Sequence, residues 1–411
     1  MKVALIHDWI TGMRGGERCL EAFLRMYPEA DIFTLIHVPG ATSPLIDSRV
    51  KATSFLNKIP GIRRIYRALL PLFPLAIRSL NLSGYDLVIS LSHAAAKNAR
   101  VPAGVPHVCY CFTPMRYIWD QAEAYFRGPV MFFLQPVLFY LRWWDTRGAK
   151  GVSEFVGISS FVAARIRKFY GRRAAVIAPP VRMETEVDRT LSPEELRFFD
   201  EHSEPFFLCA GALVPYKRID VAVKAFNELG LPLWIAGKGP ELEALKAQAG
   251  DSVRFLGHVS EGFLWECYRR CRALVFPGIE DFGIVPIECL ASGRPVIAIQ
   301  AGGVAESVPG VVTGDAVSAN RRGTWQGVFV PKSGFGSHAA LREGVECFIE
   351  QEDRFDSAAA KEHALIFSYE MFFASWRRFA EKLKIYPGVE SPASVSSPSL
   401  QTSSQERRAL C

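Results

Sequence analysis

The sequence predicts an α/β protein built as two open, doubly wound domains, and three observations carry that reading. Short apolar runs closed by glycine alternate with runs at helical spacing through both halves of the chain. A proline- and acid-rich stretch interrupts the rhythm near the middle. At 411 residues the chain can build two packed cores but is short for three ordinary domains. A hydrophobic fraction of 49% with 22% charged residues excludes wholesale disorder and fibrous composition.

Taken in order, KVALIH reads as a strand and DWITGMRGGE as a glycine-broken loop, after which CLEAFLRMY resumes at helical spacing. YDLVISLS, HVCYCF and GVSEFVGIS are further strands, and FVAARIRKFY is a helix, so a first domain spans 1–180. A hinge over 181–202 follows, where prolines and acids break the pattern. The second domain, 203–365, repeats the logic. PFFLCAGA, LPLWIAGKGP, VRFLGHV, ALVFPG and PVIAIQ are strands; IDVAVKAFNEL, GFLWECYRRC and the run around IVPIECLASG are helices. HALIFSYEMFFASWRRFAEKLKIYP reads as one late helical stretch, assigned to 366–388, that caps the second domain or crosses back to the first. The Ser/Pro-rich tail, 389–411, is expected to be disordered.

The charge sum of 48 Lys and Arg against 42 Asp and Glu gives +6, which suits phosphate-bearing small molecules or an anionic membrane face rather than nucleic acid. Nine cysteines without a CxxC pair favour reduced thiols and a cytoplasmic address, and MKVALIHDW lacks the apolar run of a secretion signal. VMFFLQPVLFYLRWWD, Val130 to Asp145, is apolar but too short to cross a bilayer and contains Gln135, Pro136, Arg142 and Asp145. Together with Lys58, Arg63, Arg64, Arg67 and Arg78 it is either an interfacial membrane surface or ordinary packing with solvated arginines.

Three clusters can carry chemistry. Gly12, Gly15 and Gly16 lie between a strand and a helix, where backbone can approach a ligand and free amides can meet an anion; a structural turn has the same composition. GALVPYKRID places Lys217 and Arg218 between a strand and a helix, at the end that faces the ligand crevice in an open α/β domain. PGIEDFGIVPIECLASG sets Glu280 in a loop and Glu288 eight positions on, inside an apolar helix. Such a pair can bind hydroxyls at two places along a nucleotide sugar. The alternative is a helix-start charge and a surface acid.

The order GMRGGE, GALVPYKRID, AGKGPE, FLGHV and EDFGIVPIE resembles the retaining nucleotide-sugar glycosyltransferases of family 4, and KVALIHDW, YDLVISLSH and VCYCFTPMRYIWD resemble a bacterial mannosyltransferase-like subgroup. The resemblance runs from residue 1 to about 385. It implies the GT-B fold, two Rossmann-like domains facing across a cleft with a C-terminal helix crossing back. It further implies transfer of a hexose, with mannose from GDP-mannose leading, to a lipid-linked saccharide or growing bacterial polysaccharide at the inner face of the cytoplasmic membrane. No metal, cofactor or protein nucleophile is implied.

By the same resemblance Gly15 and Gly16 approach the donor phosphate or sugar, Lys217 stabilises diphosphate with help from Arg218, and Glu280 contacts the donor sugar. Backbone at Asp281, Phe282, Gly283 and Ile284 completes that site, Glu288 binds ribose, and Gly257 to Ser260 form the base wall. Two departures stand out. Phe112 occupies a position commonly held by histidine, and Ala212 one commonly held by arginine. Arg116, His93 or Arg218 can substitute on the acceptor and sugar side. Otherwise the chain is a silent nucleotide-sugar-binding module, a UDP-sugar-dependent transferase, or an enzyme of phosphorolysis or sugar-phosphate synthesis on the same architecture.

Overall fold

The computed structural model describes residues 1–120, 129–314 and 325–385, so the expected disordered tail, 389–411, lies outside the described residues. Two parallel seven-stranded sheets make up the fold among those residues. The first comprises β1 (Val3–His7), β2 (Asp31–Thr34), β3 (Val50–Thr53), β4 (Leu87–Ser92), β5 (His107–Cys111), β6 (Glu154–Gly157) and β7 (Ala175–Val176), in the order β3-β2-β1-β4-β5-β6-β7. Every residue of β1, β4 and β5 is buried, as strands covered on both faces require.

The second sheet comprises β8 (Phe207–Ala210), β9 (Leu233–Ala236), β10 (Val253–Gly257), β11 (Leu274–Phe276), β12 (Val296–Ile299), β13 (Gly310–Val312) and β14 (Gly327–Val330). Its order is β10-β9-β8-β11-β12-β14-β13. In each sheet the connections run outward in opposite directions from one central pair, β1 with β4 and β8 with β11. The crevice beyond the carboxyl ends of such a pair is where open α/β sheets bind ligands. The loops that begin at Asp8, His93, Gly211 and Pro277 all lie at those ends.

The α/β architecture expected from the sequence is thus present, with differences of detail. β2, β3, β7, β13 and β14 are additional strands; they are short, and β3 and β7 lie half in solvent at the sheet edges, so no long apolar run marks them. The late helical stretch is not continuous. Ser368 accepts a hydrogen bond from the Met371 amide and caps a new helix, Tyr369–Lys382, separate from the preceding Ser357–Ala364.

Helix Tyr369–Lys382 buries Tyr369, Phe372, Trp376 and Ala380 along one stripe, and that stripe packs on helix Gly15–Met26 of the first domain. The Trp376 ring meets Phe23 edge-on with centroids 4.5 Å apart, and its Nε1 donates to the Tyr27 hydroxyl at 3.0 Å. One hydrophobic cluster therefore runs continuously from the first sheet through the C-terminal helix into the second domain.

Helix Pro129–Ala149 turns Leu138, Leu141 and Trp144 inward and leaves Phe139, Tyr140 and Trp143 exposed. Asp145, which breaks the apolar run in the sequence, is an internal anchor. It pairs with Lys97 and accepts from Trp119 Nε1 at 2.8 Å and the Tyr170 hydroxyl at 2.9 Å. Among the described residues no helix is long and apolar enough to cross a membrane.

Because Trp376 is fully buried and bridges the two domains, Trp376→Ala is expected to remove about 3–5 kcal/mol of stability. A urea midpoint and melting temperature equal to those of the unsubstituted protein would contradict that role.

Candidate active site

Helix Gly15–Met26 starts immediately after the loop that follows β1, and Glu17 accepts a hydrogen bond from the Arg14 amide at 3.1 Å to close its first turn. Glycine at 15 and 16 follows from crowding. A Cβ on Gly16 would lie 3.3 Å from His7 Cε1, and one on Gly15 would lie 2.7 Å from Ile284 Cδ1 of the other domain. The helix start thus abuts the loop 280–284 across the cleft.

Between them lies a cavity of about 380 Å³ lined from both domains. The first domain supplies His7, Trp9, Arg14, Gly15, Gly16, Glu17, His93, Phe112, Thr113 and Arg116; the second supplies Tyr216, Glu280, Asp281, Phe282, Gly283 and Ile284. Lys217 joins the site through Glu280, with Nζ 2.9 Å from Oε1. Burial depresses the Lys217 pKa, but the charge and hydrogen bond of Glu280 outweigh it and hold the ammonium above its ordinary value.

Two close backbone approaches make that pairing. Gly211 has φ +130°, and a Cβ there would stand 2.5 Å from Lys217 Nζ. A Cβ on Gly278 would stand 2.8 Å from Lys217 Cα and 2.9 Å from its carbonyl oxygen. The loop after β11 therefore lies directly against the loop after β8. Behind it, a Cβ on Gly303 would meet Phe282 Cα at 2.4 Å, so the 280–283 backbone rests on glycine.

Asp281 faces the first domain with its side chain. One carboxylate oxygen takes Arg116 and the other takes Arg165 Nη1 at 2.7 Å, while its carbonyl accepts from Ser159 Oγ at 2.6 Å. Burial disfavours the Arg116 charge, yet Asp281 more than compensates and raises its pKa. Arg165 also donates to Thr113 Oγ1 at 2.5 Å and to Asp120 at 2.7 Å.

Arg218, Gly257 and Glu288, singled out in the sequence, stand away from the cavity lining. Arg218, at φ +53°, turns to Asp220, with Nε 3.0 Å and Nη2 3.1 Å from its carboxylate oxygens, and lies over Phe335. Gly257, at φ +70°, closes β10. Glu288 is buried and held by Arg18 Nη1 at 3.2 Å and the Tyr268 hydroxyl at 3.1 Å. Burial raises its pKa against the pull of Arg18 and Arg182.

Sequence reading missed Asp8, Arg14, Arg18 and Arg165. Arg14 was visible inside GMRGGE; Arg165, inside an unremarkable helix, carried no local signal. Among the described residues no cluster of three or more His, Cys, Asp or Glu is placed to hold a metal ion. An ammonium paired to the Glu280 wall of the cavity, with a helix start on the opposite wall, suits an anionic, phosphate-bearing ligand.

Gly278→Ala is expected to force the Lys217 and Glu280 loops apart. The strain should cost about 1–3 kcal/mol, read in a urea titration, and calorimetry should show weaker nucleoside diphosphate binding; undiminished binding would sink the assigned role of that contact.

Comparison with known proteins agrees with this geometry. Residues 13–185 match the family model described as Glycosyltransferase Family 4, and residues 193–324 match that of Glycosyl transferases group 1. A GDP-mannose-dependent α-(1-6)-phosphatidylinositol monomannoside mannosyltransferase of Mycobacterium tuberculosis is 29% identical over 178 residues, 38% of this chain and 46% of that protein. A D-inositol 3-phosphate glycosyltransferase of Mycobacterium bovis is 30% identical over 185 residues, 41% of this chain and 36% of that one. An uncharacterized glycosyltransferase of Methanocaldococcus jannaschii is 31% identical over 115 residues, 27% of this chain and 33% of its own. The matched stretches thus span between a third and a half of these relatives.

Among solved structures, the Anabaena protein HepE in complex with UDP aligns over 93% of this chain and 100% of its own, with a TM-score of 0.64 at 17% identity. Sucrose-phosphate synthase from Thermosynechococcus elongatus aligns over 93% and 99%, with a TM-score of 0.67 at 18% identity. With one family model on each sheet domain and the same two-domain fold across nearly the whole chain, this protein belongs to the family 4 glycosyltransferases of the GT-B fold.

Proposed function

We propose that the protein transfers a hexosyl group from a nucleoside diphosphate sugar to a hydroxyl of a lipid-linked saccharide or growing polysaccharide, with mannose from GDP-mannose as the leading donor. The observation that carries this reading is the Lys217–Glu280 pair at the edge of a cavity whose opposite wall is the Gly15–Gly16 helix start. The name of the mycobacterial mannosyltransferase supports the choice of donor.

In this reading diphosphate lies between Lys217 and the amides of the helix start, so negative charge that develops on the leaving group meets a fixed cation and fixed dipoles. Glu280 holds the hexose by its hydroxyls, assisted by the 281–284 backbone. Glu288 receives ribose. Same-face attack by the acceptor, with departure of the diphosphate, retains the anomeric configuration. The cleft, lined from both domains, fixes the approach of the two substrates.

The acceptor side also has a surface suited to a bilayer. Phe139 is 74% exposed, Leu75 62% and Trp143 53%, while their inward neighbours Leu138, Leu141, Phe73 and Ile77 share one core. Lys58, Arg63, Arg64, Arg67 and Arg78 are exposed on the adjoining segment. Aromatic and aliphatic side chains beside cations match an anionic lipid face. Sedimentation with phosphatidylglycerol vesicles should retain the protein and fall on Phe139→Ser with Trp143→Ser; equal retention by neutral phosphatidylcholine vesicles would oppose the anionic-membrane reading.

For the reaction itself, GDP-mannose and a panel of UDP-sugars are incubated with cell-derived lipid-linked acceptors, and nucleotide release and acceptor mass are followed. A gain of one hexose with one donor is expected. Lys217→Ala should lower turnover by roughly 10²–10³. Donor binding with no acceptor gain from any donor would instead favour a silent binding module, a reading that Phe112 and Ala212 motivate.

A further inference from the structure

The loop after β4 is wound around one buried carboxylate. Asp8 is fully buried at the carboxyl end of β1, and its two oxygens accept four consecutive backbone amides. His93 donates at 2.6 Å and Ala94 at 2.9 Å to Oδ2; Ala95 and Ala96 each donate at 2.6 Å to Oδ1. Oδ2 also stands 3.0 Å from His93 Nδ1. Burial alone would raise the Asp8 pKa, but the His93 imidazole and amide, with His7 beyond, hold the carboxyl well below the usual carboxylate range.

A carboxylate on Nδ1 places the ring proton there and leaves the lone pair on Nε2 at the far edge of the imidazole. His93 is a quarter exposed and forms part of the cavity wall, and Nε2 has no hydrogen-bond partner among the described residues. Trp9 meets the ring edge-on with centroids 4.4 Å apart and fixes its plane. The other imidazole of the wall, His7, is buried with Nε2 3.8 Å from Glu17. Phe112 offers no proton acceptor.

We propose that His93 is the base that takes the proton of the acceptor hydroxyl, and that Asp8 is its positioning residue. The inference rests on the transfer reading above. The acceptor oxygen bonds to the anomeric carbon as the bond from that carbon to the diphosphate oxygen breaks, its electron pair leaving on the diphosphate. The acceptor proton moves to Nε2, and the imidazolium then releases it to solvent. The charged and titratable groups facing the imidazole are Asp8, His7 and Glu17 on its own side and Arg14, Arg116, Glu280 and Asp281 around the cavity.

The test uses the full chain, GDP-mannose and UDP-glucose as donors, and a cell-derived lipid-linked saccharide extract as acceptor. His93→Ala and His93→Gln should each lower kcat by roughly a hundred-fold or more, with donor KM unchanged within about two-fold. Added imidazole should restore part of the rate of His93→Ala. The base acts when neutral, so the wild-type rate falls as pH drops, and that acid limb should vanish in His93→Gln, whose melting temperature and nucleotide binding report an intact fold. A His93→Gln rate within about three-fold of wild type, or the same acid limb in that variant, overturns the assignment of His93 while transfer stands. No transfer by the wild-type chain with either donor overturns the transfer reading and this one with it.

Discussion

Asp281 fixes the relation of the two domains, and the site depends on it. Its carboxylate accepts two guanidinium groups from the first domain while its own backbone belongs to the loop that carries Glu280. The neighbouring contacts repeat the pattern: Glu306 accepts the Ser160 and Phe161 amides at the start of helix Ser160–Tyr170 at 2.7 and 2.5 Å. A negative side chain at a helix start is favoured by the free amides and the helix dipole. All of these are polar joints, whereas the link made by the C-terminal helix is apolar. A buried ion pair gains little net stability after desolvation but penalises any partner that is misplaced. The Asp281 joint therefore sets register more than it sets stability.

Backbone crowding does the complementary work inside the second domain. Gly211, Gly278 and Gly303 each leave room for another segment where a methyl group would collide. The result is that Lys217, on the loop after β8, and Glu280, on the loop after β11, meet at 2.9 Å although 63 positions separate them in the sequence. Adjacent central strands of a doubly wound sheet bring those loop ends together. Topology supplies the neighbourhood, and glycine supplies the last ångströms.

Much of this was legible in the sequence because it depends on local pattern. The central strands are unbroken apolar runs, and the glycine and glutamate clusters sit at their ends. The short strands β2, β3, β7, β13 and β14 were not legible, since runs of two to four residues leave no periodicity to read, whether at a sheet edge or, as for β2 and β14, inside it. The roles of Arg165 and Arg18 were hidden for another reason: their partners Asp281 and Glu288 lie 116 and 270 positions away. The turn of Arg218 toward Asp220 is local, yet it follows from a left-handed backbone at a non-glycine residue, which the sequence does not announce.

Glu288 carries an interdomain contact and, in the proposed reading, a ligand contact on the same group. Arg18 Nη1 occupies one direction on Oε1, and the Tyr268 hydroxyl one on Oε2. An ionised carboxylate has about four lone-pair directions, so two remain for a diol without loss of either protein partner. Arg18 also reaches Glu261 at 3.0 Å, and Arg182 pairs with the same acid. Burial raises the Glu288 pKa, and the two cations offset part of that rise. A hydroxyl pair entering there meets an acceptor already desolvated and oriented, so little reorganisation opposes binding. In the proposed reading, the constraint that joins the domains at Arg18 also orients the carboxylate toward the ribose.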